Sequence, residues 1–231
     1  MDILIVTDCH GKLHESRLHE TLNGRKPDVI FYLGDNTAND IECVQDNLTG
    51  VPAFGLLGNH DYLEVLKEHG IEDLHGRVVE FNGYRIGGFG GSIRYKDDST
   101  KLMFSDEECI SVMSQMPACD ILITHDKPRE KPREREKPRE KENSFDEKHG
   151  FLCKILTLFS KKVETVAEDQ TVVEEQPYIS LNAHSGLIGI RQYIDKNQPR
   201  YHFHGHLHDE FAKMYGNTTS RCFYELKYIT I

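Results

Sequence analysis

The sequence predicts an α/β protein, and three observations carry that expectation. Short β-branched runs alternate with stretches of helical periodicity through the first half of the chain. Polar motifs follow directly on the apolar runs, as they do where loops leave the C-terminal ends of strands. The 231 residues are 38% hydrophobic, enough for the core of one domain carrying a decoration.

Ile3–Val6 reads as a buried strand that stops where Asp8 opens a loop. Leu13, Leu18 and Leu22 then mark one face of a helix, closed by Asn23-Gly24 and Pro27. Val29–Leu33 is a second strand, ahead of Gly34-Asp35. Ile41 to Leu48 is helical, and Pro52–Leu57 is a third strand running into Gly58-Asn59-His60-Asp61. Val78–Phe81 and Tyr84–Phe89 flank Asn82-Gly83, a hairpin signature because both turn residues tolerate positive φ. Gly87, Gly88, Gly90 and Gly91 are expected to loosen the chain before a helix from Ser105 to Gln115. Ile121–Thr124 is another buried strand, delivering His125. Late in the chain come a helix near Leu187–Ile194, a strand at Tyr201–Phe203 and a β-rich tail from Phe211 to Ile231.

Residues 127–177 read as an insertion within a single domain spanning 1–231. Lys127 to Glu142 iterates a Lys-Pro-Arg-Glu theme. Its prolines forbid a regular helix and its charges resist burial, so an exposed, mobile loop is expected. Loops beyond about 12–15 residues are uncommon in compact domains. Phe151-Leu152, Ile155-Leu156 and Leu158-Phe159 form an apolar patch, read as a short helix near 151–159, and an acidic tract around Glu174-Glu175 follows. Three roles stay open for the insertion: a lid, a partner-docking tail, or a tolerated surface loop. Unchanged kinetics after deleting residues 130–175 would exclude the lid.

The net charge is −10 with 13 histidines taken as neutral. That balance disfavours nucleic acid as the partner, because sequence-independent affinity for it comes from Lys and Arg on phosphates. Six cysteines stand at positions 9, 43, 109, 119, 153 and 222 without a CxxC pair, so reduced thiols are expected. No apolar run approaches about 18 residues, and no signal peptide or membrane span is expected. The expectation is a soluble, cytoplasmic protein with no membrane partner.

Five polar motifs remain: Asp8-x-His10, Gly34-Asp35, Gly58-Asn59-His60-Asp61, His125, and Gly205-His206-x-His208. Any one alone is more often a helix cap, a turn or a solvated loop. All five in this order, behind apolar runs, point to a site. Imidazole and carboxylate suit Mn, Fe, Zn or related ions, and no thiolate pattern argues for a softer metal.

The series resembles that of the calcineurin-like metallophosphoesterase superfamily, over nearly the whole chain apart from the insertion. The resemblance implies two mixed β-sheets packed as a sandwich flanked by helices, an α/β/β/α fold. It implies two divalent metal ions, Mn or Fe favoured, with Zn, Ni or Co as alternatives. Asp8, His10, Asp35 and His208 would hold one, and Asp35, Asn59, His125 and His206 the other, with the Asp35 carboxylate shared. His60 would stand outside the ligands as the catalytic histidine. Asp61 beside it would either fix its tautomer or cap the following helix. The chemistry implied is in-line attack on phosphorus by a hydroxide bridging the ions, with His60 supplying a proton to the departing alkoxide.

No ligand position departs from the pattern, which disfavours a catalytically silent metal-binding scaffold. Asp35-Asn36-Thr37 does not match the longer signature of the serine/threonine protein phosphatases. The sequence more closely resembles small phosphodiesterases, including the class III cyclic-nucleotide group. Hydrolysis of a phosphodiester, in a small molecule or nucleotide, is therefore expected ahead of phosphomonoesterase or nuclease activity. His184 resembles a histidine of related members that precedes the last helix; substrate contact and local packing are both open to it. His202 and His204 alternate on one strand face as structural or surface residues, and Cys9 fills space under its loop. His14, His19, His69, His75 and His149 are placed on solvated faces.

Overall fold

The computed structural model describes residues 1–98, 101–130 and 182–231. The helix expected near 151–159 and the insertion beyond its first four residues lie outside them. Strand β1 (Asp2–Thr7) leads to helix α1 (Glu15–Leu22), then β2 (Val29–Tyr32), α2 (Ala38–Asn47) and β3 (Ala53–Gly55). A single turn, α3 (Val65–Glu68), and a two-residue strand, β4 (Glu72–Asp73), follow; neither was expected, being too short to show a period. The hairpin β5 (Val78–Phe81) and β6 (Tyr84–Phe89) forms as its turn predicts, with Asn82 at φ 48° and Gly83 at φ 79°. Then come β7 (Ser92–Ile93), β8 (Met103–Phe104), α4 (Asp106–Gln115) and β9 (Ile121–Thr124). After residue 182 the order is α5 (Ile188–Asn197), β10 (Tyr201–His204), β11 (Phe211–Tyr215), β12 (Thr218–Cys222) and β13 (Glu225–Thr230).

The strands make two mixed sheets, ordered β13-β1-β2-β3-β4 and β11-β12-β10-β9-β6-β5, beside a small β7-β8 pair. Strand parity assigns the layers. Ile3, Ile5, Phe31 and Leu33 from the first sheet meet Ile86, Ile121, Ile123 and Phe203 from the second, forming the core between sheets. Leu4, Val6, Ile30 and Tyr32 face the other way and are covered by Leu18 and Leu22 of α1 and Ile41 and Val44 of α2. Leu122 on the outer face of the second sheet packs with Cys109 and Met113 of α4 and Ile190 and Ile194 of α5. The result is the α/β/β/α arrangement. Burying roughly 1.5–3 kcal/mol per large aliphatic side chain on all three interfaces drives it.

Two sequence expectations change. Gly87 and Gly88 lie inside β6, and a Cβ on Gly88 would come within 2.9 Å of Leu56 and 3.1 Å of Leu74. Gly88 lets the sheets approach closely, and Gly87 on the opposite face abuts Val78 and Cys119, so neither loosens the chain. His75 is no solvated residue: its ring stacks on Phe104 at 5.2 Å and lies 4.7 Å from Phe89, and its Nδ1 accepts from the Gly90 N–H. The first residues of the expected insertion are held to the body. Pro128 bridges to Leu187, Arg129 pairs with Asp106, and Glu130 accepts from Lys213 and the Tyr215 hydroxyl.

Candidate metal centre

β1, β2, β3, β9 and β10 each end at one edge, and the loops leaving them are stitched together by main-chain bonds. Asp8 N–H donates to the Gly34 carbonyl, His10 N–H to that of Asp35, and Gly205 N–H to that of His125. Asp8, His10, Asp35, His206 and His208 all adopt positive φ, between 49° and 69°. Such backbone costs non-glycine residues about 1–3 kcal/mol each, and here it coincides with the predicted ligands. The surroundings hold it. A Cβ on Gly34 would strike His125 Nδ1 and Gly58 N, one on Gly58 would strike the Asp35 carboxylate, and one on Gly205 would strike Thr7 and Asp8.

Two clusters result, each with ligand-capable atoms within 4.8 Å of one another: Asp8 with His10 and His208, and Asp35 with His125 and His206. Asp35 Oδ2 lies 3.6 Å from His125 Nε2 and 3.9 Å from His10 Nε2, so one carboxylate oxygen reaches into both clusters. Its other oxygen accepts from the His60 N–H at 2.7 Å. Asp8 divides its oxygens in the same way. Oδ2 accepts from the Thr7 hydroxyl at 2.6 Å and the His206 N–H at 2.9 Å, whereas Oδ1 is buried without a hydrogen-bond partner, 3.5 Å from His208 Nε2.

The donor set fits divalent cations. His125 Nδ1 lies 2.8 Å from the Leu33 carbonyl, which fixes the ring proton there and leaves Nε2 with its lone pair. That Nε2 faces Asn59 Oδ1 at 3.2 Å and the Asp35 carboxylate: acceptors converge with no hydrogen between them. His206 commits Nε2 to the Ala183 carbonyl at 2.7 Å, leaving Nδ1 as its free nitrogen. His10 and His208 bring their Nε2 atoms within 3.2 Å. In the buried cluster of Asp35, His125 and His206, converging lone pairs require a proton or a cation. The titration tendencies register the same demand. Burial opposes charge on His125, but Asp35 and Asp8 outweigh it and raise its pKa. Burial also opposes the charge of Asp35, yet His125, the His60 amide and the neighbouring rings hold its carboxyl below the ordinary value. His206 is driven down to about 3, by burial first and by His125 second, so it is neutral as a ligand must be.

His60 is exposed at the same edge, its ring edge-to-face with that of His10 at 5.8 Å. Asp61 does not take either role expected of it. Its carboxylate accepts from the N–H groups of Asp35 and Asn36, both at 2.8 Å, and of Gly58 at 2.7 Å. It straps the β2 loop to the β3 loop. His184 is exposed and sets its ring 5.2 Å from that of His206, on the site rather than packed away from it. His202 and His204 are buried, stacked at 5.1 Å, with His202 joining Thr124 and Ser220. Cys9 is buried, and burial pushes its thiol far up, as an inert space-filler requires. The other described cysteines are free as well.

Sequence reasoning missed three residues of this site. Asp40 accepts from Gly11 and Leu13 and so ties down the loop bearing His10. Tyr224 stacks on the His208 ring at 5.1 Å. Lys101 places Nζ 3.2 Å from His60 Nδ1. Asp40 lies in Thr37-x-x-Asp40, a capping-box spacing visible in the sequence; the other two carry no local signal.

The family model described as calcineurin-like phosphoesterase matches residues 1–210. The chain belongs to that family. No curated protein matches this sequence. Among solved structures, the crystal structure of TT1561 of Thermus thermophilus is similar, with a TM-score of 0.54 at 13% identity, covering 97% of this chain and 89% of that one. At that identity the likeness is one of fold.

Proposed function

We propose that this phosphoesterase is a dinuclear enzyme that hydrolyses phosphodiesters of small molecules or nucleotides. The observation that carries the reading is Asp35 Oδ2, which reaches toward His10 in one cluster and His125 in the other. Asp8, His10, Asp35 and His208 would hold one ion, and Asp35, Asn59, His125 and His206 the second. When bound, the ions supply Lewis acidity and an activated water near neutral pH.

The chain's own residues do the rest. Asp61 holds the Asp35 and Gly58 loops in register, and the Thr7 hydroxyl and His206 amide orient Asp8. His60 supplies a proton where charge develops on the departing oxygen. His10, Asp35 and His60 also line a cavity of about 230 Å³, walled further by Ala38, Tyr62 and Val65. It is smaller than the roughly 300–1,000 Å³ of drug-sized sites, which suits a small substituent. Among the described residues, Asp61 and Glu68 line it and no lysine or arginine does.

The test is turnover of the Mn-loaded protein on bis-p-nitrophenyl phosphate against p-nitrophenyl phosphate. The diester is expected to give the higher kcat/KM. His60→Ala is expected to keep its metal and lose roughly 10²–10⁴ in kcat on a diester that releases an alkoxide, such as 2′,3′-cyclic AMP, with a much smaller loss on the p-nitrophenyl esters. A metal-loaded wild type inert on both esters overturns the reading and leaves a metal-binding scaffold.

A further inference from the structure

With Asp61 committed to three main-chain donors, the partner of the His60 ring comes from elsewhere in the chain. The Lys101 ammonium stands 3.2 Å from His60 Nδ1. An ammonium has donors and no lone pair, so Lys101 donates and Nδ1 accepts, which puts the ring proton of neutral His60 on Nε2.

Both ends of the contact are anchored. The His60 main chain is tied to Asp35 Oδ1. On the other side, Lys101 N–H donates to the Asp98 carbonyl and its own carbonyl accepts from Met103 N–H. Met103 is buried in β8 and paired with Ser92 of β7. The other cations of this segment are paired, Arg94 with Glu108 and Lys96 with Asp98.

The tautomer has a chemical consequence. Neutral imidazole that gave up Nε2–H alone would become an imidazolate, far too basic to form near neutral pH. A donor on Nδ1 removes that obstacle. We propose that Lys101 is a positioning residue that acts through His60 as a proton relay in the phosphoesterase reaction; the proposal rests on the reading above. As the bond from phosphorus to the leaving oxygen breaks, that oxygen takes the proton from His60 Nε2. In the same step Nδ1 takes a proton from Lys101 Nζ. The products are a neutral alcohol, a neutral imidazole protonated on Nδ1, and a neutral amine that solvent water reprotonates.

The test compares wild type, Lys101→Met, Lys101→Arg and His60→Ala, plus the Lys101→Met/His60→Ala double variant. The substrates are bis-p-nitrophenyl phosphate, whose leaving group needs no proton, and 2′,3′-cyclic AMP, which releases an alkoxide. Lys101→Met is expected to lower kcat on the cyclic diester by on the order of tenfold, a part of what a general acid supplies, with little change on the aryl diester. It is expected to cost nothing further once His60 is alanine. Lys101→Arg, which keeps the charge but holds its proton tightly, is expected to recover only part of the loss. A curved proton inventory in the wild type is expected to become linear in Lys101→Met. Nitrogen NMR of the histidine rings in the zinc-loaded protein is expected to show the His60 Nδ1 resonance moving in Lys101→Met.

An equal loss on both diesters, or a loss additive with His60→Ala, overturns the relay and makes Lys101 a phosphate contact. An unmoved Nδ1 resonance overturns the contact itself. A wild type inert on both diesters overturns the phosphoesterase reading instead, and the nitrogen spectrum then still decides the contact.

Discussion

Single atoms decide the most at this site. Gly205 abuts Thr7 and Asp8 so closely that a Cβ has no place to go. Gly205→Ala is expected to displace the Asp8 carboxylate, lowering stability by about 1–3 kcal/mol in urea unfolding and weakening metal binding measured by calorimetry. Unchanged binding would mean that Asp8 is not a ligand. His202 makes the opposite point, since burial holds its ring neutral well below the ordinary value of 6.5. Its sign follows from linkage: below pH 6.5 the unfolded chain binds a proton that the folded chain refuses, so stability falls as pH falls through that value. His202→Phe is expected to flatten the acid limb of stability against pH, read from urea midpoints between pH 7 and 5 (a window of roughly the ordinary imidazole range). An unaltered slope would place the proton uptake elsewhere. Neither effect is legible in the sequence, which places Gly205 in a motif and His202 on a strand face but not what packs against either.

At the scale of elements, α2 is more than a cover for the first sheet. Thr37 and Asp40 form a reciprocal capping box at its N-terminus. The same Asp40 carboxylate accepts from Gly11 N–H at 2.7 Å and Leu13 N–H at 3.0 Å, in the loop that carries His10. Cap and metal loop therefore share one carboxylate. Asp40→Ala is expected to cost about 2–4 kcal/mol, a cap together with buried charged hydrogen bonds. It should also lower affinity at the cluster of Asp8, His10 and His208 more than at that of Asp35, His125 and His206. Titration with Mn, followed by the loss of one of two binding steps, checks the asymmetry. Periodicity revealed the existence of α1, α2, α4 and α5 because each buries one stripe of apolar residues. It gave no sign of α3, β4, β7 or β8, whose two to four residues are too few for any period to show.

Across the whole molecule, the proposed ligands come from loops of both sheets: β1, β2 and β3 on one side, β9 and β10 on the other. Bound ions would therefore clamp the two layers, and folding and metal binding should be linked. Chelation is expected to lower the melting temperature, and adding Mn at a hundredfold excess over its Kd should restore about 2.7 kcal/mol per site. Mass spectrometry under native conditions should find two ions per chain. A melting temperature indifferent to chelator would show that the sandwich closes without them. Among the described residues no helix is long and apolar enough to cross a membrane.

Whereas the layers were implied only by the family resemblance, the sequence by itself determined the order of the longer strands and helices and the motif residues at the strand ends. Those depend on local periodicity and on motifs that travel with their strands, and both survive in one dimension. The tertiary structure decided what the side chains do for one another. It turned Asp61 from a partner of His60 into a strap between two loops, and it set Lys101 on His60 Nδ1 across 41 positions of sequence. It also brought Asp8 and His206 together from opposite ends of the chain. The physical reason is that a hydrogen bond needs its atoms within about 3 Å, and between residues far apart in the chain only the packing of the two sheets fixes which atoms come that close.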